Sequence, residues 1–218
     1  MMNIRQMKTQ FILKTSCFGL AVFFIITANM AYARENLILS IETATDIIAI
    51  THSKAVPLGL FPEGIQALKP DTRHGSLALV SYVRDAAGKR IGFASELEDF
   101  PPAPENVQEK PKEKNWATVW TITLPGRGSI IAFQYEHLTD QVAEAFAYPK
   151  LHNKSWEGNL FSKNTTGPLE GGFGRIIGGS EEFEGVTGHF IEEGILTSVT
   201  TSGELHATII LKFIFDKK

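Results

Sequence analysis

The sequence predicts an all-β domain, a sandwich or barrel of six to eight antiparallel strands with at most one short helix. Three observations point that way. Apolar side chains alternate with a period of two along several short runs. Clusters of turn-forming residues separate those runs at hairpin spacing. The repeated helix–strand alternation of a parallel-sheet protein is missing, and no fixed-period repeat or domain-splitting linker takes its place.

The elements follow in chain order. Residues 36–51, rich in Ile, Leu and Thr, suggest one long bent strand or two short ones. Residues 56–74 hold Pro57, Pro62 and Pro70 and read as an irregular excursion. Residues 76–84 set Leu77, Leu79, Ser81 and Val83 on one face. Asp85-Ala86-Ala87-Gly88-Lys89 has turn chemistry, with Gly88 free to take a positive φ, so residues 91–100 return as a hairpin partner. Residues 101–114, with four prolines, form a solvated loop. Along residues 116–124 one face carries Trp116, Thr118, Trp120, Ile122 and Leu124. Pro125-Gly126-Arg127-Gly128 then turns the chain into residues 129–137, where Ile131, Phe133 and Tyr135 alternate with Ala132, Gln134 and Glu136. Residues 139–150 have modest helical potential, and residues 174–178, 185–193 and 204–215 complete the strands. The stretch 138–172 is expected to be irregular, either a lid over one end or a surface appendage.

The N-terminal segment reads as an export signal. Arg5, Lys8 and Lys14 precede the apolar run 17–30, and Ala31-Tyr32-Ala33 supplies small residues for cleavage after Ala33. The domains are then a cleaved signal peptide over 1–33 and one β domain over 34–218, placed in the periplasm or secreted, with no membrane span after cleavage. Cys17, the only cysteine, leaves with the signal, so the remaining chain has no disulfide, thiolate nucleophile or thiolate metal ligand. The whole chain sums to −3, and without residues 1–33 there are 18 bases against 24 acids. A net-negative chain without a basic cluster is a poor nucleic-acid binder.

Most apparent motifs dissolve on inspection. Gly172-Phe173-Gly174-Arg175-Ile176-Ile177-Gly178 has the look of a dinucleotide fingerprint, but its glycines lead into a β-type run where the pyrophosphate needs a helix N-terminus. The six histidines are scattered singly, and no G-x-S-x-G elbow is present. Glu181, Glu182, Glu184, Glu192 and Glu193 lack calcium-loop spacing and read as a soluble acidic rim. Asn153 and Asn164 fit glycosylation acceptors.

The most specific string runs from Ile176 to Gly188. Gly178 and Gly179 permit a tight positive-φ corner, Phe183 can plug a barrel end, and Gly185 and Gly188 relieve crowding where strands bend. The pattern G-G-S-x-x-F-E-G-x-x-G resembles the allene oxide cyclases and is similar to a stretch of the related dirigent proteins. The hairpin of residues 75–92 and the strand and turn of residues 116–130 resemble the same families in order. The resemblance implies a single closed antiparallel barrel of about eight strands. It also implies a small apolar or aromatic ligand in the mouth, a homo-oligomer (trimer or dimer), and reactions needing no cofactor or metal. There are departures. Glu98 stands where the cyclases carry a pocket cysteine, Thr187 replaces the dirigent arginine, and the cyclases' first-strand glutamate has only a loose counterpart in Glu42.

Two readings compete for residues 91–100. Hydrophobic alternation puts Ile91, Phe93, Ser95, Leu97 and Asp99 inside and leaves Glu96 and Glu98 in water, the arrangement favoured by the expense of burying acids. The family resemblance turns the strand over and brings Glu98 into the lumen, where its pKa would rise. Glu42 and Glu98 are thus the catalytic candidates. Trp116, Trp120, Tyr135 and Glu96 are the candidate ligand contacts, the aromatics being expected either as pocket walls or as plain core. The expected function is a cofactor-free cyclase or isomerase, or a dirigent-like guide, against a non-catalytic carrier or scaffold of the same fold.

Overall fold

The structure, a computed structural model, describes residues 36–52, 75–100 and 115–216. The expected signal peptide with Cys17, the excursion at 56–74 and the loop at 101–114 lie outside the described residues. The strands are β1 (Leu37–Glu42), β2 (Ile47–His52), β3 (Gly75–Arg84), β4 (Arg90–Phe100), β5 (Asn115–Leu124) and β6 (Gly128–His137). They continue with β7 (Trp156–Lys163), β8 (Thr165–Gly167), β9 (Gly174–Gly179), β10 (Gly188–Val199) and β11 (Leu205–Phe215). One helical turn, α1 (Thr43–Asp46), separates β1 from β2, and α2 (Asp140–His152) follows β6.

These elements make a closed antiparallel barrel of eight strands. The wall runs β1–β11–β10–β9–β6–β5–β4–β3 and closes where Ser40 of β1 meets Arg84 of β3. α1 bends the chain so that β2 continues along β3, from Ile47 opposite Ser81 to His52 opposite Leu77. Between β6 and β10 the wall is shared. β9 fills one end, while β8 pairs with β6 and β7 with β10 at the other. The stretch 138–172 therefore holds a 13-residue helix, where the sequence showed modest helical potential over 139–150, and two strands where it suggested irregular chain. Its helix begins on the Thr139 side chain, which accepts from the Val142 amide, and ends at left-handed Asn153.

The two barrel ends differ. One is packed solid by Leu124, Ile130, Phe183, Phe190, Phe213 and Phe215. The other is roofed by α2, whose Val142 and Ala145 pack on Leu196 and Val199 of β10. Phe183 plugs the solid end as expected, with its ring 6.0 Å from that of Phe215. The corner that carries it is built differently from expectation. Neither Gly178 nor Gly179 has a positive φ; Glu181, Gly185 and Gly188 do. Gly179 is required for closeness instead, because a Cβ there would collide with the carbonyl oxygen of Phe183.

The β3–β4 hairpin turns through Gly88 at φ 79°, as its sequence predicts. It also contains a bulge. Arg84 pairs with Arg90, but Val83 pairs with Gly92, so Ile91 is the extra residue. Both arginines reach one buried carboxylate. Asp46 of α1 accepts from Arg84 Nε at 2.6 Å, from Arg90 Nε at 2.9 Å and from the Glu42 amide at 2.9 Å. Burial alone would raise the Asp46 pKa, but the hydrogen bonds from Arg84, the Glu42 amide and Arg90 outweigh it and hold the group below its ordinary value.

The plug supplies a direct stability test. Phe183→Ala should lower the unfolding free energy by about 3–5 kcal/mol in urea titrations, the usual range for emptying a fully buried aromatic position. A loss below about 1 kcal/mol would mean that the solid end packs without it.

Candidate functional site

The bulge decides what faces the lumen. With Val83 opposite Gly92, the inward residues Leu79 and Leu77 stand opposite Glu96 and Glu98. Both glutamates therefore point inward, and the alternation reading of β4 is corrected: Phe93 is 45% exposed and Leu97 57% exposed. On β6 the cross-strand pairs Trp116–Glu136, Thr118–Gln134 and Trp120–Ala132 carry Glu136 and Gln134 inward. Tyr135 consequently faces outward, at 42% exposure, and is no pocket wall. Glu42 is corrected as well. Leu39 and Ile41 take the inward positions of β1, and the Glu42 carboxylate accepts from Thr208 Oγ1 at 3.0 Å on the outer side. Trp116 lines the lumen, whereas Trp120 lies fully buried outside the cavity lining.

Above this floor lies a cavity of about 160 Å³. Its walls are apolar, with Ile50, Leu77 and Leu79 on one side and Leu138, Val142 and Phe146 on the roof side. Four carboxyl groups reach it: Glu96, Glu98, Glu136 and Glu192. Oxygens of Glu96, Glu98 and Glu136 lie within 4.8 Å of one another. Glu192, expected in the acidic rim, is 3% exposed, while Glu193 turns outward to Lys212 Nζ at 2.7 Å.

A hydrogen-bond network holds the carboxyls in place. Glu192 accepts from Trp120 Nε1 at 2.9 Å, from Gln134 Nε2 at 2.5 Å and from Asn164 Nδ2 at 2.9 Å. The Gln134 amide also donates to Glu136 Oε1 at 2.7 Å, and its own oxygen accepts from Thr165 Oγ1. Asn164 is thereby committed to the lumen rather than offered as a glycosylation acceptor, and Ser162 Oγ donates to its side-chain oxygen at 2.7 Å.

Four acids in one lumen cannot all be charged. Burial pushes the Glu98 carboxyl up to about 8, with the charge of Glu192 adding to the rise and hydrogen bonds from Glu96 and Trp116 pulling it back. Burial also lifts Glu96 well above its ordinary value, reinforced by the charges of Glu98, Glu192 and Glu136. It does the same to Glu136, reinforced by Glu192 and Glu98. Glu192 rises through burial too, opposed by its donors. The groups fall into two hydrogen-bonded pairs, Glu96 donating to Glu98 and Glu136 donating to Glu192. In each pair one carboxyl donates to the other, so a proton donor and a proton acceptor sit at one place.

Of the residues singled out in the sequence, the structure brings together Glu96, Glu98 and Trp116 around the cavity and Trp120 in the floor beside them. It leaves Glu42 and Tyr135 outside. Glu136, Glu192, Gln134 and Asn164 went unrecognised. The β5–β6 turn held the signal for the first of these, because it fixes a register in which Glu136 faces Trp116.

Comparison with known proteins adds the following. No protein-family model matches the chain. It is 32% identical over 97 residues to the glycine cleavage system H protein of Bacillus velezensis, a match spanning 42% of this chain and 76% of that protein. By that measure the chain belongs with the glycine cleavage system H proteins over this stretch, and more than half of it lies outside the match. Among solved structures, the Diels Alderase AbmU from Streptomyces koyangensis superposes with a TM-score of 0.36 at 12% identity, over 87% of this chain and 73% of that one.

The raised carboxyls set the sign of the pH dependence. Glu98 titrates near 8 in the folded barrel against an ordinary value of 4.5, so within that window the folded state binds more protons than the unfolded one. The stability this gives is present below pH 4.5 and lost as the pH rises to about 8. Melting temperatures should fall across the window, and Glu98→Gln should flatten the fall. An identical slope in the variant would show that Glu98 holds no such proton.

Proposed function

We propose that the chain is an exported barrel whose lumen holds a small, mainly apolar or aromatic molecule, on which the Glu96–Glu98 pair moves a proton in a cofactor-independent cyclisation or isomerisation. The observation that carries this reading is a cluster of carboxyls, the Glu96–Glu98 pair among them, on the floor of a cavity whose other walls are mainly apolar. The sequence resemblance to the allene oxide cyclases and dirigent proteins supports the reaction class, and the pattern of residues 1–33 supports export.

The chemistry follows from the positions. Apolar walls seat the molecule and exclude water, which strengthens every electrostatic interaction at the floor. Glu98, half-buried and opening onto the cavity, is largely protonated at neutral pH and can deliver a proton to the bound molecule. The Glu98 carboxylate then takes a proton back from a second atom of the same skeleton, which restores the acid and leaves an isomer with no net gain of protons. Glu192, oriented by three donors, supplies fixed negative potential for positive charge that develops during the shift.

Native mass spectrometry of protein purified from its own host tests occupancy by seeking a retained apolar ligand. Turnover of candidate cyclic precursors tests catalysis. Glu98→Gln should lower kcat by about 10²–10⁴-fold, as expected for loss of one general acid, while the apolar walls still hold a ligand. Glu42→Gln, on the outer wall, should leave both unchanged. A wild-type protein that retains a ligand and converts none of the candidates would instead be a carrier.

A further inference from the structure

We infer that the lumen takes a ring-sized organic molecule bearing one basic nitrogen, bound as an ammonium ion across Glu96 and Glu98. This rests on the lumen being a ligand site, as proposed above, and adds the charge of its occupant.

Two independent features converge on it. The first is the space. About 160 Å³ bounded by Leu77, Val142 and Phe146 suits an apolar body, close to the roughly 150 Å³ that admits benzene in an engineered cavity. The second is the charge imbalance around that space. Four carboxyl groups line the cavity, and among the described residues no Lys, Arg or His does. Arg84 and Arg90 of the β3–β4 hairpin are held by Asp46, and Lys212 is held on the outer wall by Glu193.

The network's own donors do not restore the balance. Trp120, Gln134 and Asn164 are neutral, and they are directed at Glu192 and Glu136. Glu96 and Glu98 are left with each other and the Trp116 indole, which brings no charge. An ammonium group carries three donors and the missing positive charge, so as it binds Glu98 can release its proton to solvent while Glu96 keeps its own, and the pair then holds one negative charge against the cation. A neutral ligand of the same shape gains only the apolar contact. A carboxylate ligand meets four acceptors and no cation, an arrangement that opposes its entry. The oxygen triad within 4.8 Å also suits a hard inorganic cation, but such an ion makes no use of the apolar walls.

Three probes of one shape separate these cases: benzylamine, benzyl alcohol and benzoate, each titrated calorimetrically into the full-length protein at neutral pH. Benzylamine should bind at least about tenfold more tightly than benzyl alcohol, the scale of one hydrogen bond to a charged group, and benzoate should bind weakest. The Glu96→Gln/Glu98→Gln double variant should lose the preference and keep the alcohol affinity, with its fold checked by circular dichroism. Should it fail to fold, Glu98→Gln alone gives the same reading at reduced size. Equal or tighter binding of the alcohol or of benzoate would overturn the charge assignment and leave the lumen as a ligand site. Binding of none of the three would overturn both. A melting temperature raised by calcium chloride and unmoved by benzylamine would overturn it in favour of an inorganic ion.

Discussion

The lumen of this barrel depends on a single extra residue in the β3–β4 hairpin. If Val83 paired with Ile91, every side chain of β4 would change faces, Leu97 would enter the core and the two glutamates would stand in water. The bulge at Ile91 prevents that, and the chain secures it from outside the hairpin. Arg84 and Arg90 stand opposite each other and both bind Asp46, a fully buried carboxylate on the turn that joins β1 to β2. One carboxylate therefore ties the closing seam of the barrel to the residues that set the parity of its neighbouring strand. Gly92 completes the arrangement, because a Cβ at that inward position would collide with the carbonyl oxygen of Thr123.

A lumen with four acids is costly, and the structure shows where the cost is offset. The end plugged by Phe183 is a continuous apolar core with Phe190, Phe213 and Phe215, and that core extends along the barrel to Leu77 and Leu79. At the open end the acids are protonated in part and hydrogen-bonded to neutral partners rather than matched with internal cations. That choice matters for chemistry. An internal lysine or arginine would pull the carboxyls down to permanent charge, whereas burial among neutral donors lifts them toward neutral pH, where both protonation states are accessible.

Apart from β7 and β8, the strand runs and both major hairpins were legible from period-two alternation and turn chemistry, and so was Phe183 as a plug. The site was legible only in part, for a physical reason specific to β-structure. Alternation identifies two faces but not which one is inside, and β4 has a plausible apolar set on each reading: Phe93 and Leu97 against Gly92 and Ala94. The deciding fact, a bulge, leaves no local signature in composition. On β6 Tyr135 read as pocket wall or core, yet the register from Leu124 opposite Gly128 carries Ile130, Ala132, Gln134 and Glu136 inward. Reading each hairpin as a register, instead of each strand by its hydrophobicity, would have recovered Glu136. Glu192 and Asn164 come together across more distant sequence and had no such local cue.

A site on barrel walls has a further consequence. Glu96 and Glu98 lie on β4, Glu136 on β6 and Glu192 on β10, so the relative positions of the four carboxyls are fixed by ladder hydrogen bonds rather than by loops. Trp120 and Gln134 are themselves fully buried, which limits the rotamers available to the donors that orient Glu192. Outside the ladder the lining comes chiefly from the roof, α2 with Val142 and Phe146, with Thr43 of α1 and the linking residues Leu138 and Asn164 beside it. The acid–base constellation and the enclosure that gives it meaning are thus borne by different parts of the chain. Changes in α2 can reshape what enters the cavity while the carboxyl geometry below stays as the strands define it.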